Sequence, residues 1–192
     1  MPIEDLFTTD NNPSLLVFDC DWTIWPFDCD KDVIAPFSRS PNGGVFDYYS
    51  RGSNPYLEVP AIFSAAVKAG IPVAFLSRNP SAGPVEALLR SIEILPRPRE
   101  EPMFLWDAMP SREYFHCYST NGFGNGKDLH FANLKKATGI PFSEMLFFDD
   151  LPANIDASRA QGTVSVQVKS GVNERSVAAG LIVWRERKAK GV

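Results

Sequence analysis

The chain has 192 residues, 44% of them hydrophobic and 22% charged, with a net charge of −4 at pH 7. That composition fits one globular domain of ordinary size with a real core, and the acidic balance gives no support for binding nucleic acid or an anionic membrane. No apolar stretch approaches the roughly 20 residues that span a bilayer. Two histidines and three cysteines without a C-x-x-C (Cys20, Cys29, Cys117) speak against a zinc site, a His-based triad or a disulfide framework.

Residues 1–13 read as a polar leader. The run Leu15-Leu16-Val17-Phe18, preceded by Asn11-Asn12-Pro13, predicts a buried strand over 14–20. Residues 24–56 mix Pro26, Pro36, Pro41, Gly43, Gly44, Gly52 and Pro55 with aromatics and predict an irregular, flap-type insertion. Val59, Ile62, Phe63, Ala66 and Val67 follow helical spacing from Glu58 to Ala69, and Gly70 ends that helix. Ile71 to Leu76 is a second strand. Pro84 to Ile92 is a helix with Val85, Leu88 and Leu89 on one face.

A second irregular insertion occupies 95–112, with four prolines around Met103-Phe104-Leu105-Trp106. Glu113 to Ser119 is a third strand, and Lys127 to Thr138 a helix closed by Gly139. Met145 to Phe148 is a fourth strand. Pro152 to Ala160 is a helix with proline in its first turn, Thr163 to Val168 a fifth strand, and Glu174 to about Lys188 the last helix. Strands and helices thus alternate five times. The fold class is α/β, a three-layer doubly wound parallel sheet in one domain over 1–192. No inserted stretch is long enough for a full cap domain.

Asp19 and Asp21 follow the first strand directly. Residues two apart on a strand point to one side, and ligands of open α/β sheets bind beyond the carboxyl ends of the strands. Two like charges so close oppose each other's ionisation unless a cation or proton intervenes, and a hard cation such as Mg²⁺ with oxygen ligands resolves the conflict. Strand two ends in Ser77-Arg78-Asn79, strand four in Asp149-Asp150, and the Asn121–Gly126 stretch leads to Lys127. In a parallel sheet these ends share one edge. Two acidic pairs, a hydroxyl and a lysine suit a phosphoryl group held against Mg²⁺.

Each residue also has a plainer reading. Ser77 can cap the following helix, Lys127 can be solvated, and Asp149-Asp150 can cap the helix at Pro152. Asn154 can be a surface helix residue and His130 a packing or hydrogen-bonding one. Trp22, Trp25 and Phe27 read as structure, and Met103 to Trp106 as core packing.

The chain resembles the haloacid dehalogenase (HAD) superfamily of phosphotransferases. The resemblance rests on D-x-D-x-T at Asp19, Asp21 and Thr23, then Ser77, Lys127 and the Asp149-Asp150 pair. More narrowly it is similar to the magnesium-dependent phosphatase-one (acid-phosphatase-like) family, through Trp25-Pro26-Phe27, Ser77-Arg78, His130-Phe131, Pro141-Phe142-Ser143 and Asn154-Ile155. It covers roughly 14–92 and 113–182.

The resemblance implies a phosphoric monoester hydrolase with Asp19 as nucleophile, forming an aspartyl-phosphate, and Asp21 as general acid and base. It implies Mg²⁺ bound by Asp19, the Asp21 backbone carbonyl and Asp149. Cys20, Asp21, Ser77, Arg78 and Lys127 would hold the substrate phosphate, with Thr23, Asp150 and Asn154 supporting; Asp150 would act through water or orient Lys127. Cys20 and Trp22 depart from the family's usual residues, and their side chains are expected to point away from the metal. The 95–112 insertion is longer than the family's usual link.

The expected partner is a phosphorylated small molecule or phosphoprotein, phosphotyrosine-like or a sugar phosphate, and no nucleic acid or membrane. The alternatives are a non-catalytic binding or scaffold protein on the same fold and a protein phosphatase acting on a disordered tail. Absent signals and the free thiols give a cytoplasmic expectation. Substrate and oligomeric state are left open.

Overall fold

The computed structural model describes residues 2–7, 11–94, 101–120 and 126–191. The glycine-rich stretch 121–125 and the prolines Pro96 and Pro98 lie outside the described residues. In chain order the elements begin with β1 (Leu15–Phe18), β2 (Ser38–Arg39), β3 (Val45–Phe46), α1 (Val59–Lys68), β4 (Val73–Ser77) and α2 (Ala82–Leu89). Then come β5 (Glu93–Ile94), β6 (Met103–Phe104), β7 (Phe115–Cys117), α3 (Asp128–Thr138), β8 (Met145–Asp149), α4 (Pro152–Ala160), β9 (Val164–Gln167) and α5 (Glu174–Lys190). No helix among the described residues is long and apolar enough to cross a membrane.

The main sheet has the order β7-β4-β1-β8-β9, and every neighbouring pair is parallel. The central strands are apolar throughout because both faces are covered. Period-two alternation divides their side chains. Leu16, Phe18, Val73, Phe75, Leu146 and Phe148 face one core with residues of α1, α2 and α5. Leu15, Val17, Ala74, Leu76, Met145 and Phe147 face a second core with Phe131 and Leu134 of α3 and Ile155 of α4. This is the expected three-layer arrangement. Phe18 stacks on Phe148 at 5.1 Å, and Phe63 of α1 stacks on Phe75 at 5.7 Å. Each such fully buried ring contributes about 1.5–3 kcal/mol.

Local chemistry sets the helix ends. Proline falls in the first turn of α1 and of α4, where its missing N–H costs nothing. Gly139 ends α3 at φ 72°, its N–H on the Lys135 carbonyl. Asn173 and Ser176 exchange side-chain and backbone bonds at the start of α5.

The first insertion contains a small antiparallel pair, β2 with β3, and β6 of the second pairs antiparallel with β5, which lies just before it. Arg39 of the flap pairs with Glu93 and lies over the Phe104 ring, which joins the two insertions. The segment around Met103 to Trp106 packs as expected: Leu105 is fully buried and Trp106 sits under Arg90 at 4.1 Å.

Candidate active site

Because the sheet is parallel, the carboxyl ends of β1, β4, β7 and β8 share one edge, and the predicted polar residues meet there. Strand one is shorter than expected, ending at Phe18. The Asp19 N–H still reaches the Phe148 carbonyl at 2.9 Å, and the chain then turns with the N–H groups of Thr23 and Ile24 on the Cys20 carbonyl.

Lys127 lies at the centre, only 1% exposed. Its ammonium group binds Asp19 Oδ1 and, at 2.7 Å, Asp149 Oδ2. Burial disfavours the ammonium, but the charges of Asp149 and Asp19 outweigh it and raise its pKa. Gly126 permits this placement. Its φ is +68°, and a side chain there would press on Ala153 O, Ala157 and Asn154 at 3.2 Å, so the start of α3 lies directly against α4. The plainer reading of Lys127 as a solvated lysine is therefore excluded.

Asp149 is fully buried and heavily partnered. Asn154 Nδ2 donates to both its oxygens at 2.9 Å, and the Leu151 N–H donates to Oδ1 at 2.8 Å. Its bond to the Leu151 N–H orders the turn that leads into α4, but it is not the helix cap: that residue is Leu151, which has no side-chain cap bond. Ligand oxygens of Asp19, Asp149 and Asp150 lie within 4.8 Å of one another. Burial, and then the charge of Asp149, push the Asp150 carboxyl up to about 6; burial and Asp149 also raise Asp19 against the pull of Lys127. Three carboxylates against one ammonium leave uncompensated negative charge in a low-dielectric place. An all-oxygen donor set of this kind fits a hard divalent cation.

Asp21 is held apart from that trio. Its Oδ1 accepts Trp25 Nε1 at 2.7 Å and the Cys29 N–H at 3.0 Å, and its Oδ2 accepts Asn79 Nδ2 at 2.8 Å. Burial raises its pKa, against the lowering effect of those donors. Ser77, 1% exposed, accepts the Asn79 N–H on Oγ at 3.1 Å, so it orders the turn after β4; the residue preceding α2 is Ser81.

His130 is buried with Nε2 at 2.9 Å from Ser77 O and 3.0 Å from Tyr118 O, and its ring stacks on Tyr118. Two carbonyl acceptors require Nε2 to carry the hydrogen. Burial, helped by Lys127, pushes this imidazole down to about 4. Between that value and its ordinary 6.5 the unfolded chain binds a proton that the fold refuses. The His130 contribution to stability is thus complete above about pH 6.5 and falls away toward pH 4. Thermal unfolding of wild type and His130→Gln from pH 7.5 to 5 is expected to show a steeper acid-side loss in the wild type; parallel curves would contradict this.

A cavity of about 540 Å³ opens on this edge, and Asp19, Asp21, Ser77, Arg78, Lys127, Asp150 and Asn154 all line it. Residues 11–187 match the family model described as acid phosphatase. The chain belongs to the acid phosphatase family.

This family member is 32% identical over 169 residues to magnesium-dependent phosphatase 1 of Homo sapiens, covering 88% of this chain and 85% of that protein. It is 28% identical over 159 residues to a HAD-like hydrolase superfamily protein of Schizosaccharomyces pombe, covering 82% and 87%. Among solved structures it resembles the N-terminal part of protein BF1531 from Bacteroides fragilis, described as containing a phosphatase domain complexed with Mg, at TM-score 0.55 and 16% identity. That match covers 92% of this chain but 40% of the other. The UTR4 protein of Saccharomyces cerevisiae matches at TM-score 0.51 and 14% identity, over 84% of this chain and 98% of that one. At these identities the likeness is one of fold, and the fold is HAD-like.

Several sequence expectations need amendment in this family member. The Cys20 side chain packs in the core, in keeping with the expectation that it turns away from the metal, and burial raises its thiol pKa; Cys20 is not among the residues that line the cavity. Thr23 is fully buried. Asp150 sits with Asp19 and Asp149, whereas the two carboxylates bonded to Lys127 are Asp19 and Asp149. Trp22, expected to point away from the metal, lines the cavity; strand alternation lapses at Phe18, and Trp22 has φ +61°. Two residues outside the predicted set, Asn79 and Trp25, hold the Asp21 carboxylate. Asn79 did stand at a strand end; nothing local marked Trp25 as a donor to Asp21.

Proposed function

We propose that this phosphatase is a Mg²⁺-dependent phosphomonoesterase that works through an aspartyl-phosphate on Asp19. The observation that carries the reading is the buried Lys127 bridging Asp19 and Asp149, with Asp150 beside them and Asp21 and Ser77 on the same cavity. The carboxylates of Asp19, Asp149 and Asp150, with the Asp21 backbone carbonyl, would hold the metal. When bound, Mg²⁺ supplies positive charge to the phosphoryl oxygens and offsets the acidic trio.

Lys127 holds Asp19 Oδ1, which leaves Oδ2 to attack phosphorus. The new O–P bond forms as the bond to the leaving oxygen breaks, and Asp21 gives that oxygen a proton. Both acceptor positions of Asp21 Oδ1 are filled and one of Oδ2 is open, so Oδ2 is the oxygen that carries the proton. In the second step water attacks the aspartyl-phosphate, Asp21 takes the water's proton, and Asp19 is released with inorganic phosphate.

Ser77 accepts from Asn79 and its side chain also meets the Cys117 thiol; its O–H would turn from that sulfur to donate to a phosphate oxygen. Lys127 spends two N–H groups on carboxylates and has a third for the same purpose. The backbone at Cys20 and Arg78 completes the phosphate cradle. The substrate is a phosphorylated small molecule or a phosphoprotein side chain, of the phosphotyrosine or sugar-phosphate type.

Hydrolysis of p-nitrophenyl phosphate with Mg²⁺ and with excess chelator tests this. Turnover that requires Mg²⁺ and is restored on adding it back is the expected result. Chelator-insensitive turnover would defeat the metal assignment. A folded protein that binds Mg²⁺ yet hydrolyses no phosphate monoester would move the reading to a binding protein on the same fold.

A further inference from the structure

The chain has four tryptophans, and three have an evident structural place. Trp25 is fully buried, stacks on Phe27 at 5.9 Å and donates to Asp21. Trp106 lies against Phe115 and beneath Arg90. Trp184 is buried, with its indole N–H on Ser143 O and Lys188 over its ring. Trp22 is different. It is 47% exposed, it lines the active-site cavity, and among the described residues no aromatic ring or cation stacks on it.

Its backbone is also unusual. A φ of +61° is uncommon for a bulky residue and carries strain. A glycine or asparagine would hold this turn more easily. The chain therefore keeps one of its largest side chains at a strained position with nearly half of it exposed.

The location gives a reason. Trp22 follows Asp21, the group that meets the leaving oxygen in the mechanism above. The cavity of about 540 Å³ is far larger than a phosphoryl group needs, and Asp28, Lys31 and Arg78 form other parts of its wall. Asp28 and Lys31 pair with each other at 2.5 Å, so the charge of that segment is largely satisfied within it. Two large exposed apolar side chains line the cavity, Leu151 at 46% and Trp22 at 47% exposed, and the indole is the larger surface and the one that directly follows Asp21.

We propose that Trp22 is the specificity-determining residue of this site, a platform on which a flat-faced leaving group, an aryl ring or a sugar ring, stacks as its ester oxygen meets Asp21. This rests on the phosphatase reading above. Stacking on an indole face rewards flat groups and gives little to a short flexible alkyl chain, so the residue would sort substrates without taking part in bond breaking.

The test compares kcat/KM of wild type, Trp22→Ala and Trp22→Phe on p-nitrophenyl phosphate, glucose 6-phosphate and glycerol phosphate, with Mg²⁺ present. Trp22→Ala is expected to lose about 10- to 100-fold on the flat-faced esters it serves and far less on glycerol phosphate. Trp22→Phe is expected to recover most of the aryl activity. The aryl and sugar arms show which flat group the platform takes. Equal loss on all three substrates, or none on any, would overturn the proposal. Trp22→Gly, which relieves the backbone, is expected to unfold within a few degrees of wild type, showing that the side chain is not there to hold the fold; a large fall would contradict that. Wild type inactive on every ester would instead overturn the phosphatase reading, and this one with it.

Discussion

Asp19→Asn is expected to abolish turnover, by at least about 10⁴-fold in kcat, with the fold intact. The substitution keeps the shape of the side chain and removes the attacking oxygen's charge. Its effect on stability is expected to be small because two consequences oppose each other. Lys127 loses one of its two carboxylate partners, yet keeps Asp149 at 2.7 Å. At the same time a buried acid is removed from beside Asp149, whose charge works against ionisation of Asp19. Phosphatase assay and thermal unfolding of the same preparation separate the two readouts. A folded variant with normal turnover would remove Asp19 as the nucleophile.

Lys127→Met is the second large effect, and it reaches both stability and chemistry. Lys127 and Asp149 are almost wholly buried and Asp19 nearly so, so removing the ammonium leaves like charges facing each other out of water. Breaking such a buried arrangement costs about 3–5 kcal/mol, which for a chain of this size is a fall of roughly 6–20 °C in Tm. The fall is expected in full with chelator present. With Mg²⁺ it is expected to shrink, because a divalent cation at the Asp19, Asp149 and Asp150 oxygens offsets the same charges. Turnover is expected to drop about 10²- to 10³-fold even with Mg²⁺, since a donor to the phosphoryl oxygens is gone. An equal loss of Tm in both buffers would show that metal and lysine do not share a charge field.

The fold was legible because its pattern is local. Leu15 to Phe18, Val73 to Leu76 and Met145 to Phe148 are short apolar runs, and strands buried on both faces have that form. Gly70, Gly139 and Pro152 mark helix ends by backbone chemistry. The acidic pairs and Lys127 were legible for a related reason: in a parallel sheet, position at a strand's carboxyl end is position at the site.

What escaped the sequence was side-chain geometry. Asn79 reaches Asp21 across 58 residues, and only the β1–β4 register brings them together. Trp25 reads as an apolar aromatic until its indole N–H is seen on Asp21. The place of Trp22 on the cavity wall was not legible because it lies four residues beyond the end of the strand, where alternation no longer holds, and a positive φ at tryptophan has no local signature. Cys20 was placed at the phosphate by its neighbours in the motif, and its side chain, expected to turn from the metal, lies in the core.

In the proposed mechanism the phosphoryl group passes through Asp19. Acid-quenching the enzyme during turnover of a radiolabelled phosphate ester, with Asp21→Asn included to slow release of the intermediate, tests this most directly. Acid-stable, base-labile label is expected on the peptide that contains Asp19, formed only with Mg²⁺ and absent from Asp19→Asn. Sustained wild-type turnover with no protein-bound phosphate at any quench time in either enzyme, or label on a residue other than Asp19, would contradict it.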